Sequence, residues 1–289
     1  MESNSIFNIQ RFVKYLASDL KRCVANFGVS FLVITLTGVF AYLIIGVISM
    51  ATGSGWVSAN ALARAIFMCI SAVVLIIIMP EKCYGFITDK RRGASWLMLP
   101  VSTTEKFVSM LVNTLIIIPA AFIGGVLLLD FLIVVLDPNL DTTVIVGIKE
   151  VFDVIAVKAA AESEVNSLIS ENIANGRIFL TSIDDGAMSI LIFLLGALYF
   201  KKNKAAKTIL AWLAVASVIS VCVSPLMLMI TGNIDMDTIN AIGNGDIEAA
   251  TRMANGFVNK AVIFDVILDT ALMIGAATGI FFRIKTIKH

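Results

Sequence analysis

The chain has 289 residues, of which 58% are apolar and 15% charged, with a mean hydropathy of +0.93. Soluble domains carry about 25% charged residues, so this chain has too few polar groups to cover a soluble surface. Ordinary Gly and low Pro and Cys counts exclude collagen, disorder and a disulfide scaffold. An integral membrane protein remains, and its net charge of +1 hides an uneven distribution along the chain.

The first element, residues 5–26, places Ile6, Ile9, Phe12, Val13, Leu16, Leu20 and Val24 at helical spacing, with Arg11, Lys14, Asp19, Lys21 and Arg22 on other faces. Such a helix before a first span is expected along the cytoplasmic headgroups, with an elbow at Asn26-Phe27-Gly28. The alternative is a plain extension of the first span into solvent. Six apolar stretches follow: Val29–Met50, Leu62–Met79, Phe107–Leu136, Ala187–Phe200, Thr208–Ile230 and Val262–Phe282. A crossing helix needs about 20 mostly apolar residues, and none of the six alternates as a membrane β-strand does. The expectation is an all-α polytopic membrane protein with six transmembrane helices.

The domain organisation follows from these stretches. Residues 1–28 form the amphipathic helix, and 29–136 hold spans one to three with a cytoplasmic segment at 80–106. Residues 137–186 form an outer loop, and 187–289 hold spans four to six. Grouping the N-terminus, 80–106, 201–207 and the C-terminus on one side collects 16 of the 22 Lys/Arg but only 5 of the 21 Asp/Glu. Lys and Arg resist translocation, so that side is expected to be cytoplasmic, with both termini inside. The same counting explains the 201–207 lysine cluster without a nucleic-acid partner. The first span, preceded by about 28 amphipathic residues, reads as an anchor and not as a cleaved signal. Cys23, Cys69, Cys83 and Cys222 have no metal-ligand spacing and read as inert thiols.

Segment 80–106 holds a basic cluster (Lys90, Arg91, Arg92), an apolar patch (Trp96, Leu97, Met98, Leu99) and the breaker Pro100. Ser102-Thr103-Thr104-Glu105 then fits a capping box that starts a helix. The apolar patch either docks a partner or rests in the membrane interface. The run Leu97-Met98-Leu99-Pro100-Val101-Ser102-Thr103-Thr104-Glu105-Lys106-Phe107 resembles the cytoplasmic segment of type-2 ABC-exporter permeases. The resemblance implies six spans, both termini inside, an amphipathic first helix, and a short coupling helix seated in a separate ATP-binding subunit. It implies a prokaryotic plasma membrane, pairing with a second permease (identical or not), and Trp96, Leu97, Leu99, Pro100, Glu105 and Lys106 as the docking surface.

The outer loop 137–186 is acidic, with 9 Asp/Glu against 3 Lys/Arg. Ile145, Ile148, Val151, Phe152 and Ile155, then Leu168, Ile169 and Ile173, predict one or two helices ending at Asn175-Gly176; the alternative is a surface loop. Residues 231–261 read as two short helices, Asp235 or Asp237 to Ile242 and Asp246 to Ala254, stopped by Gly243 and Gly256. Asp130, Asp265 and Asp269 lie within spans, where a charge faces protein interior or water. They line a pathway or bind cations or protons, or else only Asp269 is buried and the others reach interface water. Gly275 and Gly279 form a GxxxG for close helix packing, within the chain or in a dimer.

No P-loop, HExxH or GxSxG occurs, and the single histidine is His289, so neither an enzyme nor a cofactor is expected. The alternatives to an ATPase-coupled permease are an ion-coupled secondary transporter using the three aspartates, and a non-transporting membrane scaffold or regulator.

Overall fold

A computed structural model describes residues 7–56, 60–140, 142–146, 177–231 and 247–287. Among these residues there is no strand. The helices are α1 (Ile9–Thr35), α2 (Thr37–Ala51), α3 (Ala61–Tyr84), α4 (Lys90–Leu97), α5 (Thr103–Leu111), α6 (Ile118–Leu136), α7 (Arg177–Tyr199), α8 (Lys204–Thr231) and α9 (Ile247–Thr286). A 3₁₀ turn at Gly85–Thr88 joins α3 to α4, and a π-helical segment at Val112–Ile117 joins α5 to α6. Contacts divide the chain into two units, one of residues 1–148, 189–208 and 275–289, the other of 149–188 and 209–274.

Among the described residues, five helical stretches are long and apolar enough to cross a membrane: Ile9–Ala51, Ala61–Thr88, Thr103–Leu136, Lys204–Val223 and Ile263–Thr286. Their most apolar windows bury only 6–28% of their residues within the chain. Leu43, Ile44 and Val47 on α2, or Leu128, Phe131 and Leu132 on α6, are exposed. In water such surfaces would be a liability; against lipid tails they are the expected outward face. The fourth apolar stretch lies in α7 and is not among the five. The side chains of 177–182, at the start of that helix, lie outside the described set.

Two expected interruptions are absent. The elbow at Asn26-Phe27-Gly28 is not formed, because α1 runs unbroken through it to Thr35. Phe27 is buried, and α1 packs along α3. Gly28 costs a helix only about 1 kcal/mol, less than that packing supplies. The break falls instead at Leu36, between α1 and α2. Gly256 does not end a short helix either, since α9 continues through it as one 40-residue helix. The other expected short helix, its stop at Gly243, and the outer-loop residues from Ile148 to Gly176 lie outside the described residues.

At the far end of α2 the chain turns back through Gly53 and Gly55, both at positive φ (77° and 74°), a conformation that glycine adopts without strain. Trp56 then lays its ring on Gly46, where an added Cβ would stand 2.5 Å from the indole, and meets Tyr42 edge-on at 5.8 Å. Tyr42 in turn donates to Asp137 Oδ2 at 2.5 Å, tying α2 to the end of α6. Gly46→Val is therefore expected to destabilise the detergent-solubilised protein by about 1–3 kcal/mol in thermal unfolding. The penalty should vanish in a Trp56→Ala background; an equal penalty there would refute the contact as its cause.

Candidate functional site

The apolar face of the first helix is not the face that packs inside the protein. Ile9, Val13 and Val24 are exposed, whereas Tyr15, Asp19, Cys23 and Phe27, spaced four apart, are buried. Residues at i and i+4 share a helix face. A stripe centred on the carboxylate of Asp19 therefore turns inward and leaves Ile9, Val13 and Val24 outside.

Asp19, 1% exposed, is the centre of that stripe. Its Oδ2 accepts from Tyr84 Oη (2.9 Å, end of α3), Ser109 Oγ (2.9 Å, α5) and Asn113 Nδ2 (3.0 Å, the π segment). Its Oδ1 accepts from Arg22 of its own helix. Asn113 Nδ2 also donates to Tyr84 Oη at 3.1 Å, closing a ring of groups from three segments. A carboxylate removed from water needs such donors, and here they come from the three segments that meet at one end of the helices.

A second knot sits below it. Ser102 caps α5 as expected, with its hydroxyl accepting from Glu105 N and Glu105 Oε2 accepting from Ser102 N. Glu105 also accepts from Asn8 N at 2.8 Å and from the guanidinium of Arg11, whose Nη2 stands 2.9 Å away. Trp96 donates its Nε1 to Tyr15 Oη at 3.0 Å. Lys106 donates to the Trp96 carbonyl at 3.1 Å and stands 4.9 Å over the indole ring. On the other side of α3, Lys204 donates to the Gly85 carbonyl and to Thr88 Oγ1.

Of the residues expected on the docking surface, Trp96, Glu105 and Lys106 are thus buried in the chain's own contacts. Leu99 and Pro100 are exposed, as is Met98 at 83%. The side chain of Leu97 lies outside the described set. Trp96 is large and flat and carries a polar N–H; α1 supplies a hydroxyl for it, which is why it turns inward.

Asp130 is buried and paired. Arg64 Nη1 donates to it at 2.7 Å, and Val144 N donates to its second oxygen at 2.7 Å. Arg64 Nη2 donates to the Thr142 carbonyl at 2.6 Å. Arg64, which falls outside the cytoplasmic grouping of basic residues, is 2% exposed inside α3. Its charge and that of Asp130 offset each other. In the other unit, Asp269 is buried and lies against Asp185, with Asp184 and the exposed Asp265 close by. Gly279 lets α9 approach α7, with Leu195 at 3.3 Å from where a Cβ would stand, while nothing lies near Gly275. Among the described residues no group of three or more His, Cys, Asp or Glu is arranged to hold a metal ion.

Sequence reasoning missed Asp19, Tyr84, Ser109, Asn113 and Arg64. Signals for them were present: Ser109 and Asn113 stand four apart near the start of an apolar run, and Arg64 is the one cation in the second stretch. No family model, curated protein or solved structure matches the chain.

Asp19→Ala is expected to cost about 3–5 kcal/mol of stability, because Arg22 and three donors lose their shared acceptor. Asp130→Leu should cost a similar amount, and the double variant Arg64→Leu/Asp130→Leu markedly less than the sum. Thermal unfolding in detergent measures both, and strictly additive losses would sink the ion-pair assignment.

Proposed function

We propose that the chain is the membrane-embedded subunit of a transporter driven by a separate cytoplasmic ATPase, of the type-2 exporter kind. In this reading it lies in a prokaryotic plasma membrane with six spans and both termini inside. The observation that carries it is the construction of the segment between α3 and α6. Met98, Leu99 and Pro100 form an exposed, largely apolar tip. Behind that tip, Trp96 and Glu105 are held to α1 by hydrogen bonds of 2.8–3.1 Å. The same segment continues through α5 into the long helical stretch Thr103–Leu136.

A coupling element needs an exposed contact and a stiff connection to the moving helices. Load applied at the tip reaches α1 through Glu105–Arg11 and Trp96–Tyr15, and reaches α6 through α5 and the π-helical segment. Trp96, Glu105 and Lys106 act as the frame, and Leu99 and Pro100, with Met98, as the contact. The Asp19 ring locks α1, α3 and α5 together, so they move as one piece. The resemblance of Leu97–Phe107 to the coupling segment of these permeases supports the location of the contact, while the burial of Trp96, Glu105 and Lys106 narrows the contact to fewer residues than that resemblance implies.

A second reading has one observation in its favour. Asp269 is buried against Asp185, with Asp184 and the exposed Asp265 within electrostatic reach, and a buried carboxyl beside a second one suits a proton-coupled carrier. Asp130 is committed to its pair with Arg64.

Met98→Asp/Leu99→Asp is expected to insert in the membrane and keep its melting temperature, yet lose at least about 90% of co-purifying P-loop ATPase, since an apolar docking pocket rejects charge. Undiminished co-purification would reject the docking surface. Asp269→Asn should leave ATP-dependent transport within about twofold of the parent; abolished sodium- or pH-dependent uptake would favour the carrier instead.

A further inference from the structure

Beside the Asp19 ring lies an open cleft of about 440 Å³, lined in part by Leu99 of the proposed ATPase contact; its polar groups have no part in the coupling role. Ser18, Arg22 and Asn26 of α1 line it, spaced four apart on one face, together with Arg92 and Ser95 of α4 and Leu99 beyond it. The rings of Phe86 and Trp96 make an apolar wall. Arg22 is held rigidly there, with one edge of its guanidinium on Asp19 and its plane 4.6 Å from the centre of the Phe86 ring. Its Nε is buried without a partner. Arg92 is exposed and has no acidic partner among the described residues.

We infer that this cleft binds the phosphodiester of an anionic phospholipid from the cytoplasmic leaflet, with Arg92 and Arg22 on the phosphate and Ser18, Ser95 and Asn26 on its oxygens or on the glycerol of the headgroup. Two forked cations lining one cleft suit a tetrahedral anion. Asp19 offsets part of the charge of Arg22, so Arg92 supplies the uncompensated positive charge. The level also fits. Arg22 is the last charged residue of α1 before the apolar run and lies about two turns short of Val29, where headgroups adjoin a span. Basic pockets at that depth, with an aromatic wall beside them, match a headgroup that carries its own apolar stem. The inference rests on the membrane-subunit reading only for the level of α1; it does not depend on the ATPase.

The test uses the full chain in detergent, with no ATPase present. Dihexanoyl-phosphatidylglycerol is titrated while thermal stability is followed, and native mass spectrometry counts lipid retained from membranes. The parent is expected to be stabilised and to retain anionic lipid. Arg92→Gln should weaken that binding about tenfold or more, and Arg91→Gln, a neighbouring exposed arginine outside the cleft, should not. Ser95→Ala gives a second, milder variant that does not disturb the Asp19 ring. Equal binding by Arg92→Gln and Arg91→Gln overturns the site. Equal stabilisation by dihexanoyl-phosphatidylcholine, or by inorganic phosphate, overturns its assignment to an anionic lipid. Loss of ATPase co-purification in Arg92→Gln with lipid retention unchanged makes the cleft a protein contact and also overturns it. Failure of the transporter reading shows separately, as retained ATPase in Met98→Asp/Leu99→Asp.

Discussion

A single carboxylate, Asp19, holds together the end of the molecule where function is proposed. It is buried beside apolar helices in a place where water cannot solvate it, and it must find its donors in the protein. Tyr84, Ser109 and Asn113 supply them from α3, α5 and the π segment, at 2.9–3.0 Å. An apolar core tolerates sliding; a carboxylate with three neutral donors and an arginine on it does so far less, because each bond lost strands a polar group. Specific register among α1, α3 and α5 follows from that constraint. The placement of Trp96 and Glu105 depends on it in turn, since both reach α1 through residues one or two turns from Asp19.

The helices themselves were legible from apolar runs, because a span is long and its composition extreme. The capping box at Ser102–Glu105 was legible too, since a short local pattern encodes it. What could not be read was which face of α1 turns inward. For a water-soluble helix, Ile9, Val13 and Val24 would mark the core; beside lipid the rule inverts, and Tyr15, Asp19 and Cys23 are the buried ones. The same inversion hid the partner of Asp130. Arg64 was counted as a topological charge, although an opposite charge on a neighbouring span is the cheapest way to keep both inside. Trp96 belongs by sequence to a patch that docks a partner or rests in the membrane interface, since no local sign shows that Tyr15 meets it.

Glycine was over-read as punctuation. Gly28 and Gly256 both lie inside continuous helices, where the loss of about 1 kcal/mol is too small to stop a helix that packs or faces lipid on either side. Gly53 and Gly55 do mark a turn, and there the positive φ is the reason. The difference lies in the required backbone conformation.

The π segment at Val112–Ile117 sets the rotational phase of everything after it. An i→i+5 turn takes one residue more than an α turn, and each residue of an α-helix advances the azimuth by about 100°. Asn113 and Asp130 therefore lie on faces that an uninterrupted helix would not bring to Asp19 and Arg64 together. The bulge works as a vernier between two fixed polar marks, one at each end of the same long helix. Any motion that absorbed the surplus residue would swing the far mark off its arginine while leaving the near one in place, so rotation of α6 and the integrity of the Arg64–Asp130 pair are one degree of freedom, not two.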